Sequence, residues 1–472
     1  MEQNKLVNIS KKTFFSVLIL LFVLMVISII LTHVISNGRF LVVEGVTDYS
    51  TYERIEGSRG IALWKGLLAP FLILGTSDGI NLIMLSIFLL VITGAFEAMS
   101  ASNGIKVIVG RIINKYKNRR FLLLSIITLV FMLFGALLGL FEEMLTLLPI
   151  IVILCVSLGY DSFTGFIVSI VACGFGFSSA ITNPFTVLFA SNIIGVNPMT
   201  NVWYRIIIFV IMYGLLELFI FLYVRSIKRN PESSLTYESD LKKKEIGINE
   251  ESEVTENEKK IFITYLVFFG VVLSVIFSFS LIEALRDYTV VALIVVFLFG
   301  GILSSLLATG FNYKLTFKAF LKGVVSALPS IVFIFMASSI KYILVEGNVL
   351  PTIVHSINGV VENNNVYSVA IMLFLIILGL EFFISSSTAK AIFVMGILAM
   401  LNLGLSKELL VLIYTFADGY TNLLFPTSPV LLIGLSIVGV SYFKWIKKSA
   451  LLFLITFTLV IGFIMLGIVI SF

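Results

Sequence analysis

The chain has 472 residues, of which 59% are hydrophobic and only 12% charged, and its mean hydropathy is +1.10. That balance excludes a soluble globular protein and describes a polytopic membrane protein built from α-helices. The formal net charge of +5 reflects basic loops on the cytoplasmic side of a bilayer rather than nucleic-acid binding.

The chain opens with Lys5, Lys11 and Lys12 ahead of an apolar run over 14–36. The run is too long for the apolar core of a cleaved signal, so it reads as a first span with its N-terminus inside. Residues 37–60 mix Glu44, Asp48, Glu53 and Glu56 with Arg39, Arg54 and Arg59 and read as external. The short stretch 61–76, interrupted by Lys65 and Pro70, reads as a partial or tilted segment, and 81–99 as a full span. Residues 101–120 carry six basic residues and no acid, interleaved with Ile105, Val107, Ile112 and Ile113. This is the pattern of an amphipathic helix on the cytoplasmic surface.

Residues 121–158 are apolar for about 38 residues, which a straight helix would stretch to roughly 57 Å, nearly twice the hydrocarbon core. The run is interrupted at Gly139-Leu-Phe-Glu-Glu143, so a hairpin with its tip there fits better than one span, two full crossings being the alternative. The next apolar run, 163–196, is broken by a polar middle containing Pro184. A helix that breaks at bilayer depth must satisfy its backbone within the protein or line a cavity. A span at 205–223 follows, and then the polar linker 227–260.

The second half repeats the plan. Spans are expected at 261–282, 288–308 and 323–345, with Lys314, Lys318 and Lys322 in an inside loop. Residues 346–365 lack Lys and Arg and read as outside. The run 368–405 is broken at Ile384-Ser-Ser-Ser-Thr-Ala-Lys390, and 408–440 at residues 418–429. Lys444, Lys447 and Lys448 mark the inside before a last span over 451–471 that ends outside. Gly347 lies 243 residues after Gly104, Ser385 lies 243 after Glu142, and the pair Thr421-Asn422 lies 239 after Thr182-Asn183. The basic stretch 101–120 has a counterpart without basic residues at 346–365, so the two copies face opposite sides: an inverted repeat.

The strings Phe141-Glu-Glu143, Ala180-Ile-Thr-Asn-Pro-Phe-Thr186, Ser386-Ser-Thr-Ala-Lys390 and Asp418-Gly-Tyr-Thr-Asn-Leu-Leu-Phe-Pro-Thr427 resemble those of the YfcC branch of the DcuC-type carriers, within the ion transporter superfamily. The resemblance covers nearly the whole chain. It implies an all-α polytopic fold of two inverted-topology repeats, each with a re-entrant hairpin and a broken transmembrane helix, usually a homodimer, moving as an elevator. On that plan 1–120 and 261–365 are scaffold parts, 121–226 and 366–472 transport parts, and 227–260 a cytoplasmic linker. The expected location is the bacterial cytoplasmic membrane.

The expected binding groups lie at the breaks. Half-helices present free N–H groups to a carboxylate and free carbonyls to a cation. Ser178, Ser179, Thr182, Asn183 and Pro184 form one set; Ser386, Ser387, Thr388, Thr421, Asn422, Thr427 and Ser428 form the other. Back-bonding to helix carbonyls is the ordinary alternative for each hydroxyl. Glu142, Glu143, Lys390 and Asp418 are ionisable residues at breaks, where a charge costs at least about 2.5–3.5 kcal/mol and commonly serves function. Ser179, Asn183, Thr421 and Asn422 are the expected surroundings of a possible Na⁺. Glu97 and Lys341 read as a structural or interfacial pair.

Three acids against one base suit a cation, or a zwitterion bearing a cationic group, better than a dicarboxylate. YfcC-like proteins are linked to both dicarboxylate carriage and basic amino acid exchange, so the reading is a secondary active transporter of amino acids, arginine- or ornithine-type first. The alternative is a C4-dicarboxylate or other small-carboxylate carrier coupled to Na⁺ or H⁺. Two cysteines and two histidines without ligand spacing supply neither a metal centre nor a histidine relay, and no Walker-type phosphate loop occurs; an enzyme and an ATP-driven pump are not expected.

Overall fold

The computed structural model describes residues 11–43, 46–55, 60–104, 107–108, 111, 116, 119–244, 256–353, 355, 365–382, 387–398 and 403–472. Half of each of the stretches 101–120 and 346–365, expected to be amphipathic, lies outside the described residues, as do Ser385 and Ser386. Among the described residues seven helices are long and apolar enough to cross a membrane: Leu82–Ala101, Arg120–Leu138, Val202–Arg229, Glu258–Ile276, Thr289–Ala308, Tyr313–Glu346 and Tyr442–Val469. Shorter apolar helices lie between them, including Leu148–Ser157, Ser162–Ser178, Pro184–Ile194, Val366–Glu381 and Pro429–Val438.

The helices pack in two groups. In the first, Ser77–Ala101 is central and lies against Tyr313–Glu346 and the Thr289–Ala308 run, while Lys11–Val34 covers Tyr313–Glu346 from another side. Glu97 is buried there and its Oε1 lies 2.5 Å from Lys322 Nζ. The expected partner, Lys341, sits nineteen residues further along the same helix, about 28 Å away at 1.5 Å per residue, beyond the reach of one glutamate. Tyr313–Glu346 also takes in Lys314, Lys318 and Lys322, which the charge pattern had assigned to a loop. In the second group Arg120–Leu133, Ser162–Ser178, Val366–Glu381, Lys407–Thr421 and Tyr442–Val469 surround the two sequence breaks.

The chain is not wholly helical. Gly38–Val43 and Val46–Arg54 pair as an antiparallel β-hairpin. Val46, Thr47, Tyr49, Thr51 and Tyr52 are the β-branched and aromatic residues that favour a strand, a signal masked by the charges around them. The hairpin is fixed from below: Tyr52 stacks on His355 with ring centroids 4.1 Å apart, and its hydroxyl lies 2.8 Å from Thr352 Oγ1.

The linker is also more ordered at its start than its charge suggests. Val202–Arg229 is followed by a turn at Pro231–Ser233 and a short helix, Tyr237–Lys244. Asp240 is buried and accepts hydrogen bonds from the Ser162 backbone N–H at 2.7 Å, from the Ser162 hydroxyl and from Thr236 Oγ1 at 2.6 Å. Asp161, the N-cap of Ser162–Ser178, accepts from Thr164 N at 2.8 Å, Tyr223 Oη at 2.5 Å and Ser234 Oγ at 2.6 Å. Two carboxylates therefore satisfy two of the free N–H groups at the positive end of Ser162–Ser178, and they tie the linker to it.

Asp240→Ala removes a charged acceptor that takes three hydrogen bonds, and because bonds sharing one acceptor do not add, thermal unfolding in detergent should show a loss of roughly 2–4 kcal/mol. Glu238→Ala, at an exposed position of the same short helix, should leave the transition where it is. Equal transitions for the two variants would contradict the docking of the linker.

Candidate functional site

The first break begins where Ser162–Ser178 ends and closes where Pro184–Ile194 begins. Proline has no N–H and cannot continue the ladder, so the intervening peptide groups need other partners. They find them on the neighbouring helix, whose last turn, Phe134–Leu138, is wound as a π-helix. That winding displaces carbonyls from the regular pattern. Ala136 O accepts from Ile181 N at 3.0 Å and Thr182 N at 3.1 Å, Leu137 O accepts from Thr182 Oγ1 at 3.2 Å, and Gly135 O accepts from Asn183 Nδ2 at 3.3 Å. Asn183 Oδ1 accepts from Phe185 N at 2.9 Å and so caps the new helix. Gly139 follows the π-turn at a left-handed φ of 69°, and a Cβ there would meet Asn183 Oδ1 at 2.5 Å. Only glycine permits both the turn and the approach.

At the second break Lys407–Thr421 stops and Pro429–Val438 starts behind the cap residue Ser428. Trp445 Nε1 donates to Leu423 O and Tyr442 Oη to Leu424 O, both at 2.8 Å. Asn422 Nδ2 donates to Asp418 O at 3.0 Å. The two breaks meet. A Cβ on Gly419 would lie 2.3 Å from Ser178 Cα, and Phe175 packs edge-on against Tyr420 at 5.5 Å.

The ionisable residues divide. Lys390 is fully buried, with its Nζ 2.6 Å from Asp418 Oδ1 and ion-paired also to Glu381, both acids being buried as well. Ser387 Oγ donates to Asp418 Oδ2 at 2.7 Å, Tyr414 Oη donates to Ser387 O, and the Tyr414 ring lies 5.8 Å from Lys390 Nζ. Glu143 is buried and Glu142 exposed, and among the described residues neither is in an ion pair with a base. Their turn packs instead against Pro429–Val438.

Several expected binding groups are engaged locally. Ser178, Ser179 and Thr421 donate to the carbonyls four residues earlier, at 2.6, 2.5 and 2.8 Å. The oxygens of the expected Na⁺ surroundings are thus partly committed: Asn183 Oδ1 to Phe185 N, and Ser179 and Thr421 as donors along their own helices. Thr427 Oγ1 and Thr186 Oγ1 are buried without a hydrogen-bond partner among the described residues. Ser386 and the side chain of Thr388 lie outside the description. Glu381, Tyr414 and Thr186 were not anticipated. Glu381 had a legible signal, as the one charged residue of the apolar helix Val366–Glu381.

A family model described as C4-dicarboxylate anaerobic carrier, DcuC, matches residues 14–469. The chain belongs to the DcuC family. Like that family, it is a multi-pass membrane transporter rather than an enzyme, and it works on a small molecule in a lipid bilayer. Among its DcuC-type relatives is a protein of Escherichia coli provisionally named basic amino acid antiporter YfcC, 27% identical over 408 residues, which are 83% of this chain and 79% of that protein. An uncharacterized protein of Haemophilus influenzae is 21% identical over 410 residues, 84% of this chain and 76% of its own length. The solved YdaH transporter of Alcanivorax borkumensis is similar with a TM-score of 0.42 at 15% identity, covering 96% of this chain and 97% of that one. The solved MtrF of Neisseria gonorrhoeae is similar with a TM-score of 0.40 at 16% identity, covering 96% and 93%.

The contact of the two breaks makes a steric prediction. Gly419→Ala should destabilise the protein by about 1–3 kcal/mol through overpacking against the Ser178 backbone, and should cut uptake in vesicles. Gly379→Ala, which meets nothing within 4 Å, should be neutral or mildly stabilising. Matching thermal transitions and uptake for both would remove the close approach from the argument.

Proposed function

We propose that this carrier moves amino acids or related amino-carboxylates, basic amino acids first, across the bacterial cytoplasmic membrane by exchange or coupled transport. The observation that carries the reading is the buried Glu381–Lys390–Asp418 cluster, with two carboxylates to one ammonium. Its net charge is negative, and Asp418 lies in the last turn of Lys407–Thr421, where the end of the helix dipole adds partial negative charge. A guanidinium or ammonium group is attracted there. The substrate carboxylate is suited to the starts of Pro184–Ile194 and Pro429–Val438, where helix N–H groups and the unpaired Thr186 and Thr427 hydroxyls can donate. The name of the Escherichia coli relative favours the same class. In this reading the two breaks are inverted partners, each ending a helix near a Thr-Asn pair and reopening it with Pro184 or Pro429. They move with their hairpins as one body past the helices around Ser77–Ala101, within a homodimer.

The second reading, a C4-dicarboxylate, follows the family description. A dianion would need positive charge that Lys390, already facing two carboxylates, does not have to spare.

Proteoliposomes separate the two. Arginine or ornithine uptake should saturate and be accelerated by the same amino acid inside. Saturable, trans-stimulated uptake of succinate or malate with none of arginine would overturn the basic amino acid assignment. Uptake proportional to concentration without exchange would argue against alternating access.

A further inference from the structure

Glu381, Lys390 and Asp418 come from three different helices, Val366–Glu381, Ser387–Leu398 and Lys407–Thr421. Their side chains are 3%, 0% and 0% exposed, so the cluster is screened from water. Two carboxylates facing one ammonium leave one negative charge uncompensated, and among the described residues no other base pairs with either acid. A buried unbalanced charge costs several kcal/mol even after relaxation, which is a standing drive to recruit one positive charge. The surroundings favour that charge at Asp418 rather than at Glu381. Ser387 and Tyr414 are arranged around Asp418, an aromatic face lies near, and the negative end of the helix dipole falls there.

We propose that the cluster is a binding site for one monovalent cationic group, and that Lys390 is its tethered occupant. In the empty carrier the Lys390 ammonium is shared between Glu381 and Asp418. When a cation enters, it takes Asp418 and Lys390 keeps Glu381, so that two positive charges balance two negative ones. Glu381 is thereby a specificity-determining residue that touches no substrate: it sets the charge deficit by holding Lys390 aside. The proposal rests on the transport reading only for the source of the cation, which is either the side chain of a basic amino acid or an inorganic ion such as Na⁺.

The test is cation binding to the purified full-length protein in detergent, read by calorimetry and thermal shift, with arginine in one arm and NaCl against choline chloride in the other. Glu381→Gln makes the cluster a balanced pair and should weaken binding by about tenfold or more, or roughly 1.4 kcal/mol. Lys390→Met removes the tethered competitor and should tighten binding. Because Lys390→Met leaves two bare carboxylates and is at risk of misfolding, the double variant Glu381→Gln with Lys390→Gln is the second probe. It again carries one net negative charge, on Asp418, and should recover the binding that Glu381→Gln loses. Wild-type binding strength in Glu381→Gln, or no recovery in a folded double variant, would overturn the proposal. So would the absence of any cation response in the wild type. If Na⁺ binds and responds to the variants as described while arginine is not transported, the site stands and the basic amino acid reading fails. If arginine is transported with unchanged apparent affinity in Glu381→Gln, the reading stands and the site fails.

Discussion

A broken helix inside a bilayer strands N–H and C=O groups where neither water nor lipid can bond them, at several kcal/mol for each group left alone. The second group of helices is arranged around that constraint. At the first break the stranded groups reach carbonyls released by a π-turn, through Ile181, Thr182 and Asn183. At the second, Trp445 and Tyr442 reach across from the last helix to Leu423 and Leu424. Each break is held by one neighbouring helix, so the polar interior is built from pairs of helices and not from long side chains crossing an empty cavity.

Satisfying the backbone leaves the titratable side chains as the expensive part. Lys390 is tolerable at zero exposure because two acids face it, and the acids are tolerable because it faces them. Such a cluster adds little stability compared with a well-packed apolar substitute, while loss of one member is severe. Glu97 and Lys322 form the contrasting case: an ion pair in the other helix group whose lysine is 25% exposed.

The two helix groups meet along few elements, chiefly Pro429–Val438 against Tyr313–Glu346 and the second β-strand against Ser387–Leu398. The β-hairpin is itself fixed to the first group through Tyr52, Thr352 and His355, so it forms a bracket over the helix that carries Lys390. On the linker side the docking of Asp240 at Ser162 ties the start of the inter-half connection to the first broken helix. The connection therefore begins as part of the packed second group rather than as a free tether.

Hydropathy, charge flanks and helix breakers act within about 20 residues, the length of one crossing, and they are written along the chain. From them the sequence alone determined a helical membrane protein, the positions of both breaks, and the polar residues beside them. The β-hairpin was missed because charged residues hid a strand composition that was nonetheless present. Glu381 was passed over although its isolation in an apolar helix was visible. Other features depend on which helices become neighbours, and no local pattern encodes that. Pairing of Glu97 with Lys322 rather than Lys341, the closing of the first break on a π-turn forty-odd residues earlier, and the commitment of Asp240 to Ser162 belong to this class. So does the outcome for Lys390: its sequence position marks it as a costly charge, but only the packing of three helices decides that it faces two carboxylates.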